Sequence, residues 1–228
     1  MNMNKFCLSI LLLFSLNVLF AQQTETRSLG AFSGVKAAEG IDVYLKKGDK
    51  ESAKVEVSGT DVSNVITEVS GSYLKIHMKD GRYHTVDAKV YVTYVSLSKL
   101  SASSAGNIYS ETPIKANAME ISASSAGSVE VSIEAGSVEV SASSAGDIEL
   151  KGKATTSIVE ASSAGEIDAY DLEAKTVRAE ASAGGSLKIN VVENLTAHAS
   201  SGGSIRYRGN PDKSVTNSSS GGSVKKSN

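Results

Sequence analysis

The chain has 228 residues, with 23 Lys and Arg against 25 Asp and Glu, and its formal net charge of −2 offers no general attraction to nucleic acid or anionic membrane. It has one cysteine and no tryptophan, and beyond residue 21 the only phenylalanine is Phe32, so neither disulfides nor a large aromatic core can stabilise it. What remains is small and β-branched residues, which limits the candidate folds sharply.

The opening MNMNKFCLSILLLFSLNVLFAQQ places Lys5 before an apolar run from Phe6 to Phe20, then Ala21 and polar residues. This reads as a secretory signal peptide over residues 1–21. A spanning helix needs about 20 mostly apolar residues, and here Ser9, Ser15 and Asn17 interrupt a shorter run. Cys7 precedes most of that run, where a lipid-anchor cysteine would follow it. The expectation is an exported chain of residues 22–228, forming a single domain with no membrane span.

Residues 27–98 read as longer strands at 41–46, 53–58, 65–69, 73–78 and 88–94, separated by turn signals such as KKGDK, SGTD and KDGR. This irregular section either continues a stack of coils or covers its first rung with a small sheet, since an open solenoid end invites edge-to-edge association.

From residue 99 to 225 one motif returns seven times. Its glycines are Gly106, Gly127, Gly146, Gly165, Gly185, Gly203 and Gly222, at intervals of 21, 19, 19, 20, 18 and 19 residues. Two residues after each stand Ile108, Val129, Ile148, Ile167, Leu187, Ile205 and Val224, and alternation with polar residues marks half-buried strands. Short strands recurring at that interval cannot bury a face alone, so they predict an all-β fold, a parallel β-helix or β-solenoid, with coils of about 19 residues stacked at roughly 4.8 Å. Each coil should carry two short strands flanking the SSAG turn and a variable third side such as KGKATTS or YDLEAKT. Ala102, Ala123, Ala142, Ala161, Ala181 and Ala199 fit a narrow inner corner, the glycines suit a sharp turn at positive φ, and the paired serines can form hydroxyl ladders.

The stretches EGIDVYLKKGDKESAKVEVSG, GSYLKIHM and AKVYVTYVSLSKLSASSAGNI resemble the family of secreted bacterial proteins described as auto-transporter adhesins with a head GIN domain. The resemblance covers roughly residues 30 to 225. It implies a right-handed β-helix, export from a Gram-negative cell to the periplasm, outer-membrane surface or medium, and no established catalytic activity. No catalytic residue or cofactor carries over from it.

Stacking would bring Asp147 and Glu149 beside Glu166 and Asp168, with Glu130 one coil earlier. Such a patch is either a calcium site or a solvated acidic surface. The same outward column then changes sign to Lys188, Arg206 and Lys225. His77, His84 and His198 are scattered without metal-ligand spacing. Tyr73, Tyr83, Tyr91 and Tyr94 suit either cross-strand packing or sugar stacking.

Two functional classes follow. One is a non-enzymatic envelope or surface scaffold that binds a glycan or a cell-surface protein. The alternative is a β-helix polysaccharide lyase or glycoside hydrolase, for which the four carboxylates are the only place to look and the short coils leave little wall for a cleft.

Overall fold

In a computed structural model, residues 22–227 are described, and the expected leader over residues 1–21 lies outside them. The described chain is a β-solenoid whose strands join into one 17-stranded sheet. From the N-terminus run β1 (Gln23–Ser28), β2 (Gly34–Ala37), β3 (Asp42–Lys47), β4 (Ser52–Ser58), a 3-10 turn (Val62–Asn64), β5 (Val65–Ser70), β6 (Tyr73–Met78) and β7 (Asp87–Tyr94). The repeat region supplies β8 (Lys99–Ala102), β9 (Asn107–Ser110), β10 (Ile114–Ala123), β11 (Ser128–Ala142), β12 (Asp147–Ala161), β13 (Glu166–Ala181), β14 (Ser186–Ala199), β15 (Ser204–Arg208), β16 (Lys213–Ser218) and β17 (Ser223–Lys226).

The predicted columns stack in register. Val129 pairs with Ile148, Ile148 with Ile167, Ile167 with Leu187 and Leu187 with Ile205, and each of these side chains is fully buried. The alanine column from Ala102 to Ala199 lines the inner corner and is buried throughout. At about 25 cal/mol per Å² of apolar surface, this shared interior is the main stabilising contribution.

The structure changes the expected anatomy of a coil. Instead of two short strands and a separate third side, β11, β12, β13 and β14 are single strands of 15, 15, 16 and 14 residues. KGKATTS and YDLEAKT remain strand because the coils on either side keep their backbone groups paired as the chain bends. Unequal coil lengths are absorbed as bulges: β13 shifts register against β12 between Glu149 and Lys151, and β14 shifts against β13 between Ala169 and Glu173.

The corner glycines also serve a different purpose from the one expected. Positive φ falls on the two residues before them, as at Ser144 (50°) and Ala145 (59°), Ser163 (48°) and Ala164 (60°), or Ala183 (46°) and Gly184 (77°). Gly106, Gly127, Gly146, Gly165, Gly185, Gly203 and Gly222 are instead required by close approach between coils. A Cβ at Gly127 would lie 2.6 Å from the carbonyl carbon of Ala102 and from the nitrogen of Ser103. The left-handed pair is held by a backbone ladder in which Ala126 N–H donates to Ser144 O and Ala145 N–H to Ser163 O, both at 3.2 Å. The serines of SSAG therefore act first through their carbonyls. A hydroxyl bond between coils comes from another serine pair, with Ser122 Oγ donating to Ser101 Oγ at 3.0 Å.

The N-terminal third contains a further coil and a cap. β2 lies parallel to β8 with Ala37 beside Ala102, and β3 lies parallel to β9 with Val43 beside Ile108. Thus AAEGIDV forms the same corner as SASSAGNI, 65 residues away along the chain. On the far side of this coil lie β6, parallel to β2, and β7, parallel to β3. Their corner is opened into residues 79–86, which leaves room for Ile41 where the other coils need glycine. Antiparallel β4 and β1 then follow β7, while antiparallel β5 follows β6. Both expectations for this section hold: the stack continues, and a small sheet closes it. β3 to β7 each begin and end within one residue of the expected bounds.

The other end is closed differently. In the last coil Ser214, Thr216 and Ser218 stand over Leu195, Ala197 and Ala199, so the apolar column ends in small polar residues. Lys225 and Lys226 are exposed on β17, where charge discourages further strand pairing.

Candidate binding face

The side of the coil that follows each corner presents its outward residues in rows. The central row crosses the whole stack: Lys54, Tyr91, Tyr44, Tyr109, Glu130, Glu149, Asp168, Lys188, Arg206 and Lys225 occupy equivalent positions on successive strands. It is therefore aromatic near one end, acidic in the middle and basic at the other.

Tyr44 stacks on Tyr91 and on Tyr109, with ring centroids 5.2 Å apart in both pairs and interplanar angles of 19° and 22°. Lys54 Nζ lies 5.8 Å from the Tyr91 centroid and covers the end of the row. Both faces of Tyr44 are thus occupied by protein, and the row offers ring edges and phenol hydroxyls, not open faces. Burial is the main cause that raises the pKa values of Tyr44 and Tyr109, and the Asp42 carboxylate adds to it. Asp42 lies alongside, accepting from Asn107 Nδ2 at 2.8 Å. Next to Tyr91 is a depression of 210 Å³ lined by Glu56, Asp87 and Lys89 among others.

Of the tyrosines singled out in the sequence, only Tyr91 belongs to this row. Tyr73 covers Gly34 and lies under Lys36 Nζ, 4.4 Å from its centroid. Tyr94 is buried, and Tyr83 Oη donates to Lys79 O at 2.7 Å. Tyr109 follows from the repeat, three residues after Gly106, whereas Tyr44 was legible only by aligning AAEGIDVY with SSAGNIY, a match hidden by the 65-residue separation and the displaced glycine.

The acidic group is brought together as the register predicts: Asp147 lies beside Glu166 and Glu149 beside Asp168, with Glu130 beside Glu149. Two lysines answer it. Lys188 Nζ donates to Glu166 Oε1 at 3.1 Å and to Asp168 Oδ2 at 2.9 Å. Lys151 Nζ lies 2.8 Å from Glu149 Oε1 and 3.3 Å from Glu130 Oε1. Those bonds raise the pKa of both ammonium groups, whereas burial, followed by Glu166 and Glu149, raises that of Asp147. Among the described residues no group of three or more His, Cys, Asp or Glu is placed to hold a metal ion. His77, His84 and His198 lie on separate coils or loops, and His77 Nδ1 is 2.9 Å from Met78 O.

The third side follows another rule. Lys115, Glu134, Lys153 and Glu173 alternate in sign along their row, and Lys115 Nζ lies 2.9 Å from Glu134 Oε2. Two further depressions, of 440 and 630 Å³, border the opened corner at residues 79–86. Among the described residues no helix is long and apolar enough to cross a membrane.

A stack of short coils with graded surface rows defines a β-solenoid repeat protein with one extended outer face. The chain belongs to the family described as "putative auto-transporter adhesin, head GIN domain", which matches residues 31–211. No curated protein matches it. Among solved structures it is similar to a protein described as a putative adhesin from Bacteroides fragilis, with 20% identity, a TM-score of 0.82 and 91% and 97% of the two chains covered. A putative adhesin from Parabacteroides merdae (17% identity, TM-score 0.72, coverage 91% and 96%) shares the fold. So does a putative lipid binding protein from Parabacteroides distasonis (21% identity, TM-score 0.70, coverage 91% and 97%).

Proposed function

We propose that this adhesin-like chain is exported through its N-terminal leader and works without catalysis, as a single-domain binding scaffold at the cell envelope. The observation that carries this reading is the continuous outer row from Lys54 to Lys225, in which aromatic, acidic and basic residues are segregated on a regular strip. The tyrosine row is the binding element. Phenol hydroxyls flanked by Asp42, Asn107 and Lys89 suit a polyhydroxylated partner, a surface glycan or the glycan-bearing face of a protein, held by hydrogen bonds.

Several features favour binding over hydrolysis. A glycosidase needs one carboxyl free to act as acid and another as base or nucleophile, on opposite sides of a bound sugar. Here Asp147, Glu149, Glu166 and Asp168 share one side of one strip of sheet, so that even Asp147, which has no lysine partner, faces the same way as the three that Lys151 and Lys188 bridge. Among the described residues the buried side chains from Phe32 to Ile205 pack into one continuous cluster, which argues against a lipid chain in the interior.

The test is a screen of the purified protein against envelope glycans and intact cells, repeated with Tyr44→Ala and Tyr91→Ala. Glycan or cell binding that falls at least tenfold in folded variants is the expected result. Retained binding in both variants removes the tyrosine row, and release of new reducing ends or unsaturated sugars overturns the non-enzymatic reading.

A further inference from the structure

The charged half of the central row has an order of its own. On six consecutive coils it reads Glu130, Glu149, Asp168, Lys188, Arg206, Lys225: three acids followed by three bases. A row of that form is complementary to itself when reversed. We propose that two copies of this chain pair face to face through this row, related by a two-fold axis that runs along the strands between Asp168 and Lys188.

That axis turns the outward face of one copy onto the other and reverses the stacking direction while preserving the strand direction. Glu130 then meets Lys225 of the second copy, Glu149 meets Arg206 and Asp168 meets Lys188. Each contact occurs twice, as in any isologous interface. The other face-to-face two-fold, along the stacking direction, keeps the coil order and would set acid against acid, so the charge order selects one arrangement.

The intramolecular pairing leaves charge available for this. Glu130, Asp147, Glu149, Glu166 and Asp168 are five carboxylates answered by two ammonium groups, Lys151 and Lys188, which leaves three formal negative charges. Arg206 and Lys225 are exposed and make no ion pair among the described residues. Arg208 and Lys226 at the same end add to the positive block, the former stacked over Tyr170 at 4.0 Å and the latter bonded to Asn210 Oδ1. The flanking rows are compatible. Asp147 and Glu166 fall opposite Ser204 and Ser186, and Lys151 and Arg208 form the one like-charge approach, at the rim.

Size sets the strength. Six coils at about 4.8 Å span roughly 24 Å, and about five outward and inward residues per strand add a width of roughly 15 Å. That face is smaller than the roughly 800 Å² per partner of a standard interface, so the pair is weak, and because opposed charges select it, it depends on salt. It leaves Tyr109, Tyr44 and Tyr91 uncovered, since they lie beyond Glu130 and outside the paired stretch. The two tyrosine rows then sit at opposite ends of the assembly, which suits bivalent attachment.

Sedimentation velocity on the purified protein tests this at low ionic strength and in about 1 M salt, where the screening length falls to about 3 Å. Dimer in the first and monomer in the second is expected. Arg206→Glu with Lys225→Glu in one chain, and Glu130→Lys with Glu149→Lys in another, should each give monomers whose circular-dichroism spectrum matches that of the unaltered protein. Their mixture should recover a dimer, because every opposed pair is again of opposite sign. A monomer at low salt, a dimer indifferent to salt, or failure of the mixed variants to associate overturns the proposal. So does binding of the positive block to anionic vesicles with no self-association.

Discussion

Gly185 packs its α-carbon against the carbonyl of Ala161 on the preceding coil, leaving no space for a Cβ, whereas its neighbour Gly184 has nothing within 4 Å of that position and a φ of 77°. The two adjacent glycines are held by different physics. Gly184→Ala should cost about 1 kcal/mol, the penalty for an L-residue in the left-handed region. Gly185→Ala must push two coils apart and should cost about 3 kcal/mol. Urea denaturation of both variants checks this, and equal losses would refute the distinction.

Tyr94 is 2% exposed and its hydroxyl has no hydrogen-bond partner among the described residues. Tyr94→Phe keeps the ring and removes the orphaned group, so it should stabilise the protein by about 1 kcal/mol. Burial raises the phenol pKa above 10.0 in the folded state. Unfolded chains therefore ionise first, and stability present below that pH is lost as pH rises through it. The Phe variant should lose less stability on the alkaline side, which thermal melts from neutral to alkaline pH will show.

Asp147 is the carboxylate of the acidic group without a lysine partner, and its pKa is raised from 3.8 by burial, Glu166 and Glu149. A raised carboxyl pKa means that the folded state holds its proton longer than the unfolded one. Its contribution to stability is complete below 3.8 and is lost as pH rises through the folded value. Asp147→Asn should therefore raise the Tm at neutral pH, by no more than about 1 °C because the side chain is exposed and solvent screens the repulsion, and flatten the acidic limb of the stability profile.

Calcium should leave the Tm unchanged at millimolar concentration. Lys188 and Lys151 already occupy the positions between the carboxylates that a cation would need, so binding would require breaking ion pairs at 2.8 to 3.3 Å. A concentration-dependent rise in Tm would show that calcium displaces the lysines.

Arg27 ties the cap together. Its Nη1 donates to Val65 O at 2.6 Å and to Thr67 Oγ1 at 3.1 Å, and Nη2 donates to Val62 O at 3.0 Å. Arg27→Ala should cost about 2 kcal/mol through these three lost charge-assisted bonds and the lost ion pair with Glu25. The loss should be local, with faster hydrogen exchange in β1 and β5 and little change in β12.

The sequence by itself determined the solenoid, the inward aliphatic and alanine columns and the charge order of the outer row, because a repeat of nearly constant length forces equivalent residues onto neighbouring strands. Ile148 beneath Ile167 and Asp168 beneath Lys188 follow from counting alone. Tertiary structure decided what counting misses. It placed β2 between β6 and β8 and β3 between β7 and β9, so that Tyr44 became the middle of a stack with Tyr91 and Tyr109, both far from it along the chain. It moved the left-handed strain from the repeated glycines to the Ser-Ala pairs before them, and it brought Lys151 onto Glu149. A period records which residues share a row. It carries no record of insertions between rungs, of how closely two backbones approach, or of where a flexible side chain finds its counter-charge, since those depend on contacts in space.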